Sequence, residues 1–332
     1  MAEAYQGPLT EELLEQSNYE IARIIAALPD DAEIIETPMM DHLVYKLKDY
    51  DRILAICERA ITRGGASALR VAQLKIAMVN AERRKLNPNM VLIRRWMIDT
   101  RWVCNDTTEM PGVRRTMILF YYNAALFCRL SGDFQGEAEN HKQIADIAED
   151  EFSRNNAAYM VKVAMRFHHA KEGTTKEAWK CFLIDSNNYR ARLRRSVPRE
   201  AQWMANEWGH RVQLAILLGY VGEEDEELNE EGFDELVRLL SIGVSPSASY
   251  TAELIIAMTL FGYGTQAMAC WEAERIIHDE AAGNEWRMLA ALLKAQITGE
   301  PDDYRAAAAM PGNGICHAAR AVAEHELATW FS

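Results

Sequence analysis

The chain has 332 residues, of which 49% are apolar and 26% charged, the composition of an ordinary soluble globular protein. No run approaches the ~18 uninterrupted apolar residues of a membrane span, and residues 1–10 have neither the basic start nor the apolar core of a secretory signal. The net charge of −13 hides three blocks: residues 1–50 carry net −8, residues 51–200 net +9 and residues 201–332 net −14. Such asymmetry bears on partners rather than on fold.

In chain order, the spacing predicts a first helix over 9–28, capped by Thr10, with an Ile/Leu stripe at 13, 14, 21, 24, 25 and 28. Pro29-Asp30-Asp31 ends it. A short helix runs from Pro38 to Leu47, another from Asp49 to Thr62, and Gly64-Gly65 closes the second. Ser67 to Leu86 follows. Asn87-Pro88 restarts the chain as a cap followed by proline at the first helical position, and that helix reaches about Val103. A loop at Asn105–Thr108 and Pro111 lead into the central stretch. Beyond it come a helix from Asn155 to Lys171, a turn at Gly173 and a capping box of Thr174 with Glu177. Ser186-Asn187-Asn188 breaks the pattern. A long helix over Ser196–Gly219 precedes a loop at 223–231 with seven acidic residues in nine, then a helix from Phe233 to Ile242. Ser245-Pro246 restarts the chain again. Helices at about 247–261, 265–281 and 284–298, a short alanine-rich helix after Gly299-Glu300-Pro301, and Ile315–Trp330 complete it. Nowhere do apolar and polar residues alternate for five positions between turn signals, so no strand is predicted.

The stretch from Thr116 to Phe152 organises the rest. Tyr121, Ala124, Ala125 and Cys128 fall at helical spacing, as do Ala138, Ile144, Ala145 and Ala148. Between the two stripes Gly132 suits a left-handed helix end, and Asp133 can cap the next helix. The result is an antiparallel helix pair.

This pair resembles a tetratricopeptide repeat, through its Gly132-Asp133-Phe134 turn and the alanine that follows. Lys48-Asp49-Tyr50-Asp51-Arg52, followed by Ile53, Cys57 and Ala60, looks like the start of a second repeat helix. So do Glu172–Ala178 followed by Phe182, Gly232–Leu236, and Gly262–Ala267 followed by Trp271. The turn positions Tyr50, Phe134, Thr175, Phe233 and Gly264 are unequally spaced, against roughly 34 residues in the family. The resemblance implies an all-α fold, an α-α superhelix: a tetratricopeptide-like right-handed solenoid of antiparallel helix pairs. It forms one helical-repeat domain over 1–332, with sub-blocks 1–188 and 189–332 on either side of an Arg-rich break. It also places Ala178 and Ala267 where the two helices of a pair meet.

Residue types that carry chemistry form few patterns. Glu324-His325-Glu326 lacks the second histidine of a zincin helix. Gly262-x-Gly264 follows a helix, so it is no phosphate loop. Glu137 with His141 and Glu207 with His210, four and three residues apart, can each form a carboxylate–imidazole pair; the competing reading is a helix-surface hydrogen bond. The six cysteines, with no Cys-x-x-Cys, read as reduced core residues, and neither metal nor cofactor is expected. The eight tryptophans read as inter-helix core, with partner anchors as the alternative.

The basic block supplies the candidate site. Arg190, Arg192, Arg194 and Arg195, with Arg199 beyond them, lie between two helices; Arg83 and Arg84, Arg94 and Arg95, and Arg114 and Arg115 add to the block. Guanidinium groups recognise carboxylate and phosphate in a fork geometry. The competing readings are a solvated surface and an internal clamp on the acidic loop 223–231. The expectation is a non-catalytic cytoplasmic scaffold or adaptor that binds another protein, through an acidic segment, in a solenoid groove. The alternatives are a nucleic-acid-associated regulator using the basic block and an all-α enzyme with dispersed active-site residues. No membrane partner is expected, and the sequence is silent on oligomeric state.

Overall fold

The computed structural model describes residues 11–28, 34, 40, 42–85, 87–105, 112–173, 181, 184–189, 200–219, 234, 237–238 and 246–330. The fold is all-helical, and no strand occurs among the described residues. The chain divides into two compact units, Met1–Phe127 and Cys128–Ser332, with the boundary inside one helix. The break expected near residue 189 lies within the second unit.

In the first unit, α1 (Glu11–Ala26) is followed by a π-helical turn (His42–Leu47), α2 (Tyr50–Arg63), α3 (Ala68–Glu82), α4 (Met90–Thr100), a 3₁₀ turn (Arg101–Asn105) and α5 (Val113–Leu130), which continues past the boundary. Side chains set the helix starts: Asp49, Ser67 and Asn89 each accept the backbone N–H three residues on, from Arg52, Arg70 and Leu92. The predicted cap Asn87 is displaced by Asn89, whose own N–H donates to Glu82 Oε1 at 2.8 Å and so ties the start of α4 to the end of α3. Neighbours pair in chain order, α1 with α2, α2 with α3 and α3 with α4.

The central element of this unit is α3, buried almost all round. One of its faces joins Ile21, Ile25, Ile53, Ile56 and Cys57 in a core with α1 and α2. The other packs Ile76 and Val79 against Ile93 and Met97 of α4 and Phe120 of α5. Two of its buried side chains bond across the unit: Gln73 Nε2 donates to Thr116 Oγ1 at 3.0 Å, and Arg70 Nη2 to the carbonyl of Leu28 at 3.2 Å.

The second unit contains α6 (Phe134–Ile147), α7 (Glu151–Lys171), α8 (Glu200–Leu217), α9 (Pro246–Gly262), α10 (Gln266–His278), α11 (Asn284–Thr298), α12 (Pro301–Ala309) and α13 (Cys316–Trp330). The turn from α5 to α6 closes with Asp133 N–H to Cys128 O and Gly132 N–H to Arg129 O, both 2.9 Å, with Gly132 at φ +71°. Asp133 then caps α6 through Gly136 N–H at 2.9 Å. The α9–α10 turn closes in the same way, Thr265 N–H to Leu260 O and Gly264 N–H to Phe261 O. Both turns are ones that the sequence singles out.

Three expectations shift here. The second helix of the central stretch ends within its expected stripe: α6 stops at Ile147 with Ala148 as its cap, and Asp150, donated to by Ser153 N–H at 2.7 Å, starts α7. Residues 184–189 are helical rather than a break, because Ser186 is buried and its hydroxyl is bound inside the unit. Ala267 is exposed, since α10 begins at Gln266 and turns Ala269, Ala273 and Ile276 inward instead. Ala178, with the box Thr174–Glu177, lies outside the described residues.

Consecutive helices pair in this unit too, α6 with α7, α9 with α10, α10 with α11, α11 with α12 and α12 with α13. Contacts between helices distant in sequence join them. The last helix, α13, packs on α7, α8 and α11, and α8 packs on α7, α9, α11 and α13. That is why residues 211–217 of α8 are buried on every face. Two glycine turns receive α13 directly. A Cβ on Gly132 would sit 2.7 Å from the His317 ring, and one on Gly173 (φ +81°) 2.7 Å from His325 Nε2.

Candidate functional site

The arginines of the basic block separate into three groups. Arg83 and Arg84 are half-buried and turned inward at the end of α3. Arg83 donates to Asn80 Oδ1 at 2.6 Å and to Asn123 Oδ1 at 3.2 Å, and Arg84 donates to the same Asn80 oxygen at 3.2 Å. Lys85 beside them pairs with Glu82 at 2.8 Å and with Asp51 at 2.6 Å. Cations at a helix C-terminus also meet the negative end of its dipole. This part of the block is bound to side chains of the first unit itself. Arg190, Arg192, Arg194 and Arg195, with Arg199 and the acidic loop 223–231, lie outside the described residues.

Arg94 and Arg95 are exposed on α4, and Arg114 and Arg115 on the first turn of α5. The surroundings of the α4 pair were not legible as a site. Ile93 and Met97 face the core, and this rotation turns the opposite side of the helix outward. On that side Val91 is 77% exposed, Ile98 66% and, one turn on, Trp102 41%. At 3.6 residues per turn Val91 and Ile98 lie within about 20° of one another, with Arg95 on one flank and Arg94 on the other, and Arg101 and Trp102 follow in the tighter 3₁₀ turn. None of Arg94, Arg95 and Arg101 has an ion-pair or hydrogen-bond partner among the described residues. Asp99, the one acidic residue of α4, is paired with Lys75 at 2.6 Å. A row of large apolar side chains between unpaired cations is a surface suited to binding, since isolated exposed apolar residues are ordinary but aligned ones are not.

The second unit holds the carboxylate–imidazole candidates, and the fold handles the two differently. Glu137 and His141 lie on the inner face of α6, with His141 Nε2 3.7 Å from Glu137 Oε1. Arg129, from the end of α5, donates to that same oxygen through Nε at 2.9 Å and Nη2 at 2.5 Å, and its guanidinium lies over the Phe167 ring at 5.5 Å. Burial draws the Glu137 carboxyl up, but Arg129 and His141 outweigh it and hold it below the ordinary carboxylate range. His210 of α8 faces this group, between the rings of Tyr159 (6.1 Å) and Phe167 (6.5 Å). Burial, reinforced by Arg129, lowers its pKa to about 3, so it is neutral. Across the same hub, burial raises Glu285, which accepts the Ile315 N–H at 3.3 Å.

Glu207 does not serve His210. It forms a fully buried pair with Arg211 at 2.6 Å, the guanidinium reaching Ser186 Oγ at 2.7 Å and also Asn187, while Ser186 donates to Glu207. The stacked rings of Tyr159 and Tyr189, 4.0 Å apart, border this pair. Glu137 and Glu207 are both fully buried, so neither carboxylate is presented to a substrate in this conformation. Their chemistry here is the mutual neutralisation of charge inside a helical core.

The cysteines divide by depth. Burial pushes the thiols of Cys57 and Cys316 up to about 12, and Cys104, Cys128 and Cys270 are half-buried. Cys181 is exposed and corrects the expectation of a core residue. No group of three or more His, Cys, Asp or Glu side chains among the described residues is arranged to hold a metal ion, and no described helix is long and apolar enough to cross a membrane. Trp208 is fully buried, Trp96 and Trp286 partly so, and Trp102, Trp271 and Trp330 are exposed; the side chains of Trp179 and Trp203 lie outside the described residues. Comparison with protein-family models, with curated proteins and with solved structures found no match to the chain.

Proposed function

We propose that the chain is a non-catalytic protein-interaction module, a helical scaffold that presents the outer face of α4 to another protein. The observation that carries this reading is the row Val91–Ile98–Trp102, exposed between Arg94, Arg95 and Arg101, on a helix fixed from behind by Ile93 and Met97. Aromatic and arginine side chains are the residue types that most often anchor interfaces. The tetratricopeptide-like turn Gly132-Asp133-Phe134, with Phe134 and Ala138 turned inward, supports a scaffold of antiparallel pairs stacked as a superhelix. Buried thiols at Cys57 and Cys316 fit a reducing compartment such as the cytoplasm.

The test is photo-crosslinking in the native host. A benzophenone amino acid replaces Ile98 on α4 or, as a control, the exposed Glu58 on α2. The expected outcome is a discrete protein adduct from position 98 that position 58 does not give. Adducts to nucleic acid alone, or no adduct beyond the control, would remove the reading.

A further inference from the structure

Resting on that reading of α4, we propose that the segment it binds is an amphipathic α-helix with an apolar stripe and acidic flanks. The geometry of the row argues for a helix rather than an extended strand. Val91, Ile98 and Trp102 recur at intervals of seven and four along a face about 17 Å long, counted at 1.5 Å per α-helical residue and 2.0 Å per 3₁₀ residue. A helix laid along such a face places its own residues at i, i+3 or i+4 and i+7 against the row, the mode by which amphipathic helices are read. A strand, whose side chains alternate at about 3.3 Å per residue, has no matching repeat.

The charges set the partner's flanks. Arg95 stands on one side of the row, Arg94 on the other and Arg101 in the 3₁₀ turn, and none of the three is neutralised among the described residues. Because Lys75 already occupies Asp99, the face carries an excess of three cations. Glu or Asp on both borders of the incoming helix would meet all of them, and Arg donates paired hydrogen bonds to a carboxylate. Lys or Arg there would face like charge, which costs affinity and excludes the wrong partner. The fit is therefore specific in register through the apolar row and in sign through the arginines.

The experiment uses the full chain and three labelled peptides of about 18 residues, long enough to overlap the row with a turn to spare at each end. One has a leucine stripe with Glu flanks, one the same stripe with Lys flanks, and one the Glu composition scrambled. Fluorescence anisotropy should show the Glu-flanked peptide binding at least tenfold more tightly than the other two and weakening as salt rises. In the variant Arg94→Glu/Arg95→Glu/Arg101→Glu the preference should reverse to the Lys-flanked peptide. Ile98→Ser should weaken the Glu-flanked peptide at least tenfold without changing the melting midpoint. Arg95→Ser alone gives the same comparison with a smaller shift if the triple variant does not fold. Equal binding of the Glu- and Lys-flanked peptides, or no effect of either substitution, overturns the proposal. So does binding of the wild type to phosphatidylserine vesicles with no preference among peptides, which would make the face a membrane contact. If position 98 crosslinks to a protein while all three peptides bind alike, the interaction module stands and only the acidic helix falls.

Discussion

The two units solve one problem, where to put charge in a helical protein, in different ways. In the first unit charge is handled at helix ends. Arg83, Arg84 and Lys85 turn back onto Asn80, Glu82, Asn123 and Asp51 around the end of α3, and the remaining arginines of α4 face outward. In the second unit charge is buried in enclosed ion pairs. Glu207 and Arg211 are fully enclosed, and Glu137 with Arg129 nearly so. The difference follows from connectivity. Helices of the first unit pair with their neighbours and, α3 excepted, keep exposed residues on one side. In the second unit α13 returns to α7, α8 and α11, and residues 211–217 of α8 have no side left for water. A polar residue on a helix enclosed in this way must find a partner within the fold.

The largest effect expected from breaking this contrast lies at the enclosed pair. Glu207→Ala or Arg211→Ala leaves one charge buried without its partner and should destabilise the second unit by about 3–5 kcal/mol. The double change Glu207→Leu/Arg211→Met removes both charges at similar volume and should recover most of that loss. Urea unfolding of the three variants measures both. Single variants within about 0.5 kcal/mol of wild type would mean that water reaches the pair. The corresponding change in the first unit, Arg84→Ala on its half-buried end, provides the contrast.

Acid sharpens the comparison next. The folded state keeps His210 neutral down to about pH 3, whereas in the unfolded chain a histidine takes up its proton near pH 6.5. Below about pH 6.5 the unfolded state therefore binds one more proton than the native state. Stability should fall by about 1.4 kcal/mol for each pH unit as pH drops toward 3. Glu137 adds to the loss at lower pH: its carboxyl is held below the ordinary range, so its contribution is present above about pH 4.5 and disappears as the native carboxyl protonates. Unfolding midpoints should fall as pH drops from 7 to 5 in the wild type and fall less steeply in His210→Phe, where burial still lowers His169 and His317. An equal slope in both would place the acid sensitivity elsewhere.

The smallest effect tests register in α10. Ala269→Leu should overpack the inner face and cost about 1–3 kcal/mol. The same change at exposed Ala267 should stay within about 0.5 kcal/mol. Thermal melting of the two variants distinguishes the observed register from the one that the repeat pattern implies; a larger loss at Ala267 would restore the latter.

Much of the local structure was legible, because helix ends are written in short-range chemistry. Asp49, Ser67, Asp133 and Gly132 act where the sequence places them, the inner residues Ala138 and Ile144 follow from spacing, and Ile53, Cys57 and Ala60 from the resemblance to a repeat helix. Asp150 was missed because the apolar stripe continues across it, and Asn89 because Asn87-Pro88 offered the stronger signal two residues earlier. The candidate site was legible only in part. Arg94 and Arg95 are visible as a basic pair, but nothing in their neighbours says that Val91, Ile98 and Trp102 stay outside, since an apolar helical stripe ordinarily marks a core.

What the sequence by itself determined is the helical class, most helix boundaries and the turns, since capping, glycine at positive φ and a 3.6-residue apolar period act within a few residues. Only the tertiary structure decided the rest. It chose which face of α4 is covered, because Phe120 arrives from a helix some twenty residues away to pack on Ile93 and Met97. It sent Arg83 and Arg84 inward and left Arg94 and Arg95 in solvent, and it paired Glu207 with Arg211 instead of His210. Two side chains at helical spacing are only able to meet; whether they do depends on which other helices exclude water from between them.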